Sequence, residues 1–303
     1  MVSRIIRHAV TMRIFCEPKP GMVAHTKASR MLASPEMRDW TRAGTEELGS
    51  ASGKLADALE KWPGSQEPNE TGFSLANNTT RSVYDVIAED PERAVRFANA
   101  MKVMTSKPEF DLSYGTDYYD WASLGEVQVV DVGGARGHFA KELAKRHPQL
   151  RIVVQDMANV VENADLGEPL HRVRFAAHNL FDPQNIHADV FFFRWIFHNW
   201  PDQYCIRIIK AQVPALRPGA RLIIQEAIMP ESGTVAQWKE RDLRAMDLEM
   251  AYAFNARERT LADWKTLFEE ADSGFILENV IEPKGSAMGI LEFTWRGVGE
   301  PTN

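Results

Sequence analysis

Two groups of residues in this sequence have types and spacing that could do chemistry. In the run VVDVGGARGHFAKELAKRH, beginning at Val129, an apolar strand-like segment feeds a turn holding Gly133, Gly134 and Gly137, and a helical pattern follows. Glycine lets a chain turn tightly and lets a ligand approach the backbone. Asp156 ends the next strand-like run, RIVVQD, about twenty residues later, where a carboxylate can accept hydrogen bonds from ribose hydroxyls. The bland alternative is a tight turn with an exposed acid. The second group lies further on: His198 follows the apolar run DVFFFRW, Glu226 ends RLIIQE, and Glu258 stands in RERT. Strand ends of this kind are where open sheets bind ligands. Read singly, His198 fits a hydrogen-bonded structural histidine and Glu226 a sheet-end carboxylate paired with a cation. Glu258 alone fits a solvated charge cluster ahead of a helix capped by Thr260 and Asp263.

Asp131 narrows the choice of ligand. Nicotinamide and flavin motifs seat a pyrophosphate on the helix N-terminus, and an acid just before the glycines would repel it. The same acid suits the ammonium end of an amino acid. S-adenosylmethionine carries such an end and no phosphate, so the acid-glycine pattern favours it.

These residues need a sheet to position them. From about Glu126 the strand-like runs VQVVDV, RIVVQD, RVRFAAH, DVFFFRW and RLIIQEAI alternate with helical patterns, which predicts a mostly parallel, Rossmann-like sheet covered by helices. The end differs: FILENVIEP and SAMGILEFTW are joined by only KG, a connection that permits an antiparallel hairpin and rules out a parallel crossover. The expected fold class is α/β with a C-terminal antiparallel hairpin. Residues 1–115 read as a smaller helical region and residues 116–303 as the cofactor-binding domain. In the first region, VSRIIRHAVTMRIF, EELGSASGKLADALEKW and SVYDVIAEDPERAVRFANAMKVM are helical patterns, with Pro91 suited to a first helical turn.

The whole-chain figures exclude several classes. With 303 residues, 44% hydrophobic, 25% charged and a net charge of −7, the chain reads as globular and argues against a general nucleic-acid surface. No apolar run approaches the roughly 18 residues a membrane span needs. Two cysteines, Cys16 and Cys205, make neither a disulfide framework nor a metal cluster, and no metal ligand set is assigned. The expected setting is reducing and cytoplasmic.

VVDVGGARGHFAKELAKRHPQLRIVVQDMANVV, FRWIFHNWPDQYCIRIIKAQVPALRPGARLIIQEAIMP and RERTLADWKTLFEEADSGF together resemble the fungal O-methyltransferases of the plant caffeate and flavonoid type. The likeness runs over nearly the whole chain. It implies a class I S-adenosylmethionine-dependent enzyme of secondary metabolism that methylates a hydroxyl, expected to be phenolic, on a small aromatic or polyketide-like acceptor. Position by position, it implies that the turn from Asp131 to Gly137 holds the amino-acid part of the cofactor. Asp156 would bind the ribose, Met157, Asn179 and Leu180 would border the adenine, and Arg194 would face cofactor and active site. His198 matches the general base, and Glu226 and Glu258 match the two acids beside it. Ala135 stands where the family usually has a third glycine, and Asn179 replaces an aspartate while keeping a carbonyl oxygen that can accept a hydrogen bond. The family carries further N-terminal residues, including helices that build a dimer. This sequence begins inside the part resembling a winged helix, which implies a weakened homodimer.

Four functional readings compete. The first is methyl transfer with His198 as base. The second uses the same fold and cofactor for dehydration or pericyclic chemistry, where His25 in MVAHTKAS would act on substrate. The third is a non-catalytic cofactor-binding paralogue, and the fourth a winged-helix DNA binder, which the acidic chain disfavours. Met246, Met250, Tyr252 and Phe254 form a helical stripe that is either an acceptor pocket or core. Trp195 and Trp200 read as packing residues.

Overall fold

The computed structural model describes residues 1–162, 164 and 171–297. Strands β3 (Gln128–Val132), β4 (Arg151–Asp156), β5 (Val173–Ala177), β6 (Val190–Arg194), β7 (Arg221–Glu226), β8 (Phe275–Ile281) and β9 (Gly289–Trp295) form one sheet of order β5-β4-β3-β6-β7-β9-β8. The five strands from β5 to β7 pair in parallel, and β9 pairs antiparallel with both β7 and β8. The expected parallel sheet closed by a hairpin is therefore what the chain forms. A separate hairpin, β1 (Phe15–Lys19) and β2 (Met22–His25), stands near the start.

The apolar runs are continuous because helices cover both faces. In β6, Phe191 and Phe193 enter one core cluster with Leu222, Ile224 and Trp264, while Phe192 enters another with Val129, Phe139 and Ile223. Alternate side chains point to opposite faces, and each finds a dry layer. At roughly 25 cal/mol per Å² of apolar area, each such buried side chain contributes about 1.5–3 kcal/mol. This rigid platform brings the ends of β3, β4, β6 and β7 to one edge: Asp131, Asp156, Arg194 and Glu226 all lie there.

The helical region behaves differently in one place. EELGSASGKLADALEKW, which reads as one helix, is broken into a π-helical segment Ala43–Leu48 and short helices Gly49–Ser52 and Leu55–Lys61. Gly49 and Gly53 supply little helix propensity at the breaks. The MVAHTKASRMLAS segment makes β2 and then a helix Lys27–Leu32 with a Thr26–Ser29 capping box. Pro91 does open the helix Pro91–Thr105, capped by Asp90. The third core cluster joins Ala51, Phe73, Val83 and Ile87 to Met250, Ala253 and Phe254 of the long helix Gln237–Phe254. The amino-terminal helices thus share a core with a helix that also packs on the sheet-edge segment carrying His198.

Candidate active site

The glycine turn is held by the end of β4. Gly133 and Gly134 N–H both donate to the Gln155 carbonyl, at 2.8 and 3.1 Å. Ala135 N–H donates to Asp156 Oδ2 at 2.9 Å, and Met157 N–H to Asp156 Oδ1 at 2.8 Å. Gly133 and Gly137 have φ of +72°, which a residue with a Cβ seldom adopts, and Ala135 is forced to +49°. A Cβ on Gly134 would come within 2.5 Å of Asp131 Oδ2. The backbone therefore curls over Asp131, which is only 3% exposed and whose Oδ2 has no hydrogen-bond partner among the described residues. Burial pushes the Asp131 pKa up to about 7, with Arg194 opposing and Asp156 adding to the shift. A buried carboxylate with an orphaned oxygen, beside glycines, fits the ammonium group of an amino-acid cofactor. Met157 next to it is 52% exposed, a large apolar side chain with room for a ring against it. Asn179 Oδ1 accepts Phe181 N–H at 3.1 Å, and Leu180 packs against the main core.

Arg194, at the end of β6, interacts by charge with Asp131 of the turn and with Glu226 beside the histidine. Its guanidinium donates to the Phe110 carbonyl at 2.8 Å and to Gln225 Oε1 at 3.2 Å. Burial lowers its pKa to about 10, while Asp131 and Glu226 pull it back up.

His198, Glu226 and Glu258 come together as a buried group whose ligand atoms all lie within 4.8 Å of one another. The two acids divide the work. Glu258 Oε1 accepts from His198 Nδ1 at 3.1 Å, which sets the tautomer and leaves Nε2 with no hydrogen bond among the described residues. Glu226 Oε1 instead accepts the backbone N–H groups of Ile196 and Phe197, at 2.7 and 2.9 Å, and so fixes the segment on which His198 rides. Burial tends to lower the His198 pKa, but the charges of Glu226 and Glu258 outweigh it and the net shift is upward. Burial raises Glu226, countered by His198 and reinforced by Glu258. The solvated-cluster reading of RERT does not hold, because Glu258 is buried and Arg259 is 1% exposed. Arg259 clamps the histidine segment by donating to the Phe197 and Trp200 carbonyls and to Asp202. Thr260 and Asp263 do form the expected capping box.

Three features escaped the sequence reading. Gln155, Gln184 and Gln212 form a buried amide ladder: Gln155 and Gln184 exchange hydrogen bonds at 2.9 and 2.8 Å, and Gln184 donates to Gln212 at 3.1 Å. Since the Gln155 carbonyl holds the glycine turn, the ladder anchors that turn to the helix Asp202–Gln212. Trp195 carries φ +58° and places its ring 4.7 Å from His198, with a buried Nε1 that has no partner among the described residues. Asp247 accepts the Glu258 N–H at 2.8 Å. No motif marks scattered glutamines; their only sequence signal is polar residues at otherwise apolar positions. Of the methionine-aromatic stripe, Met250 and Phe254 are core. Trp200 packs on Phe181 and Tyr204, as expected. His25 is exposed, with its Nδ1 3.0 Å from Ser29 Oγ and its ring against Phe15.

A family model described as an O-methyltransferase domain matches residues 54–275. The O-methyltransferase PaMT of Phomopsis amygdali is 38% identical over 297 residues, covering 96% of this chain and 70% of that protein. The chain belongs to the O-methyltransferase family. Curated fungal O-methyltransferases align at 34–41% identity over most of it, and the family uses S-adenosylmethionine. Among solved structures, LepI in complex with S-adenosylmethionine superposes with a TM-score of 0.78 at 25% identity, covering 97% of this chain and 76% of that one. A structure described as a pericyclic reaction enzyme gives 0.77 at 25% identity with the same coverage. The expected fold class and family thus hold for this O-methyltransferase. Among the described residues, no helix is long and apolar enough to cross a membrane.

Proposed function

We propose that this O-methyltransferase methylates a phenolic hydroxyl of a small aromatic or polyketide-like acceptor, with His198 as general base. The observation that carries this reading is the buried Glu258–His198 pair, which holds Nδ1 and leaves Nε2 with no hydrogen bond among the described residues. When bound, S-adenosylmethionine supplies a methyl group on a sulfonium, already activated for attack by oxygen. Asp131 and the turn through Gly133, Gly134 and Gly137 hold the amino-acid end, and Asp156 the ribose. Met157, Asn179 and Leu180 border the adenine, and Arg194 acts by charge on both this cradle and the acid beside the base.

A phenol has a pKa of roughly 10, so little is ionised at neutral pH. His198 Nε2 takes the proton as the oxygen attacks, and Glu258 stabilises the imidazolium through Nδ1–H. Glu226 keeps the segment in place and adds a second negative charge nearby. Orientation supplies the rest of the rate. No step assigns a metal to these residues.

The pericyclic alternative has less support, since a pericyclic step removes no proton and leaves the base oriented by Glu258 without a task. His25, exposed and bonded within its own hairpin, gives it no help. The unbridged cysteines Cys16 and Cys205 suit a reducing, cytoplasmic setting. The division into 1–115 and 116–303 and a weak homodimer belong to the same reading. The helix Val2–Thr11 buries none of its residues and exposes Val2 and Ile5, a face a second copy would cover.

The direct test is methyl transfer from S-adenosylmethionine to naphthol by the wild type and by His198→Ala. The variant should bind S-adenosylhomocysteine normally and lose about 10²–10⁴-fold in kcat. An unchanged rate would remove His198 from the mechanism.

A further inference from the structure

Glu249 is a half-buried acid whose charge acts on His198 but which takes no part in holding it. The helix Gln237–Phe254 is tied to the active site at Asp247, whose Oδ1 holds the Glu258 N–H at 2.8 Å, and to the segment after β7 by Arg244, which donates to the Pro230 carbonyl at 3.0 Å. On such a helix, positions three and four apart share a face. Glu249 and Met250 lie between Met246 and Ala253 on that spacing, and Met250 and Ala253 are buried. Glu249 is therefore an acid on an inward-facing stripe, half-buried itself. Among the described residues its carboxylate accepts no hydrogen bond, and no cation stands within ion-pair distance. The charged groups that act on it are His198, Lys107 and Glu258. Lys107 lies toward the ring of Trp40, its Nζ 5.8 Å from the centroid.

Two more polar atoms around His198 are left unsatisfied. Among the described residues, Glu226 Oε2 and Trp195 Nε1 are both buried without partners, Glu226 being 0% exposed and the Trp195 ring lying 4.7 Å from the imidazole. Leaving such groups unpaired is costly, so their presence points to a ligand that satisfies them. The helix carrying Glu249 packs on the turn Phe197–Asn199, so Glu249 joins Glu226 and Glu258 around the histidine, with Arg194, Arg259 and Lys107 as the cations that act on the group.

We propose that Glu249 selects the acceptor: it accepts a hydrogen bond from a second hydroxyl, or an equivalent N–H donor, on an aromatic acceptor, and it turns away acceptors bearing a carboxylate there. This deepens the methyl-transfer reading of the same site and rests on it. The physics is that of a pocket built to pair a polar group, which rejects an analogue lacking that group more strongly than an apolar pocket can. A carboxylate entering the space would meet like charges in a poorly hydrated setting, where repulsion is least screened.

The test compares the isomers of dihydroxynaphthalene with naphthol and hydroxynaphthoic acid. It uses the wild type, Glu249→Gln and Glu249→Leu, all loaded with S-adenosylhomocysteine for calorimetric binding and with S-adenosylmethionine for turnover. The wild type should favour its best dihydroxy isomer over naphthol by about ten- to a hundredfold in kcat/KM. Glu249→Leu should erase that preference, mainly through KM, and Glu249→Gln should admit hydroxynaphthoic acid while keeping part of the preference. Unchanged S-adenosylhomocysteine affinity certifies that the variants are folded. A preference that survives Glu249→Leu, a wild type that takes the acid best, or one that binds none of these probes would each overturn the proposal. The binding arm separates the two readings. Selective binding without any methylation would sink methyl transfer and leave the selection by Glu249 standing. Methylation without selectivity would do the reverse.

Discussion

At the scale of single residues, the site is organised by where negative charge is left uncompensated. Glu258 raises the proton affinity of His198 through one hydrogen bond and its charge. The base works when neutral, so the rate should climb as pH passes upward through the raised histidine pKa. Glu258→Gln removes one cause of that raise. The rising limb of kcat/KM should move to lower pH, while the plateau falls because the imidazolium loses its stabilising charge. A pH–rate profile of the two proteins checks both halves, and a limb that stays put would show that Glu258 does not set the base. Ala135 offers a second test. Its φ of +49° costs a residue with a Cβ about 1–2 kcal/mol. Glycine relieves that cost but loosens the unfolded chain by about 0.4–1 kcal/mol. Ala135→Gly should therefore stabilise the protein by about 1 kcal/mol or less in thermal melts and leave S-adenosylhomocysteine binding equal or tighter; weaker binding would mean that the methyl group itself helps the ligand.

At the scale of elements, polar networks decide how well the platform holds its edge. Gln184→Leu would strand the Gln155 and Gln212 amides in the core, at about 1–3 kcal/mol. Because the Gln155 carbonyl holds Gly133 and Gly134, the variant should also bind S-adenosylhomocysteine more weakly at temperatures where it is fully folded. A loss of stability alone would make the ladder structural only. This ladder was not legible in the sequence, since its members lie on a strand, a loop and a helix that only the fold brings together. The elements themselves were legible where burial on both faces leaves a continuous apolar run, as in β3, β6 and β7, and where glycine and acid follow a strand. Asp131, Asp156, His198, Glu226 and Glu258 could be named because each sits at or just beyond a strand end or in a compact motif. The EELGSASGK segment misled because its apolar spacing is helical while Gly49 and Gly53 permit breaks that packing against Gly72 and Phe73 exploits. Glu249 was missed because a lone acid on a methionine stripe looks like an ordinary solvent-facing position until the helix is seen tied to Glu258.

At the scale of the whole molecule, one sheet edge gathers the cradle, the base and the acceptor-facing helix, so ligand binding and folding must be coupled. A ligand that binds only the folded chain at a hundred times its Kd adds about 2.7 kcal/mol of stability. S-adenosylhomocysteine should thus raise the melting temperature of the wild type clearly and that of Asp156→Ala far less. The measurement that bears most directly on the cofactor site is calorimetric titration of the chain with S-adenosylhomocysteine at pH 6 and pH 8, beside Asp131→Asn. With the Asp131 pKa near 7 before binding, the acid must give up its proton to meet the ligand's ammonium at the lower pH. Binding should therefore be weaker at pH 6, by up to about tenfold, and in Asp131→Asn it should be weak and nearly independent of pH. A folded wild type that binds no S-adenosylhomocysteine, or an Asp131→Asn variant that binds it as tightly as the wild type at both pH values, would contradict the assignment of this turn as the cradle of the methyl donor.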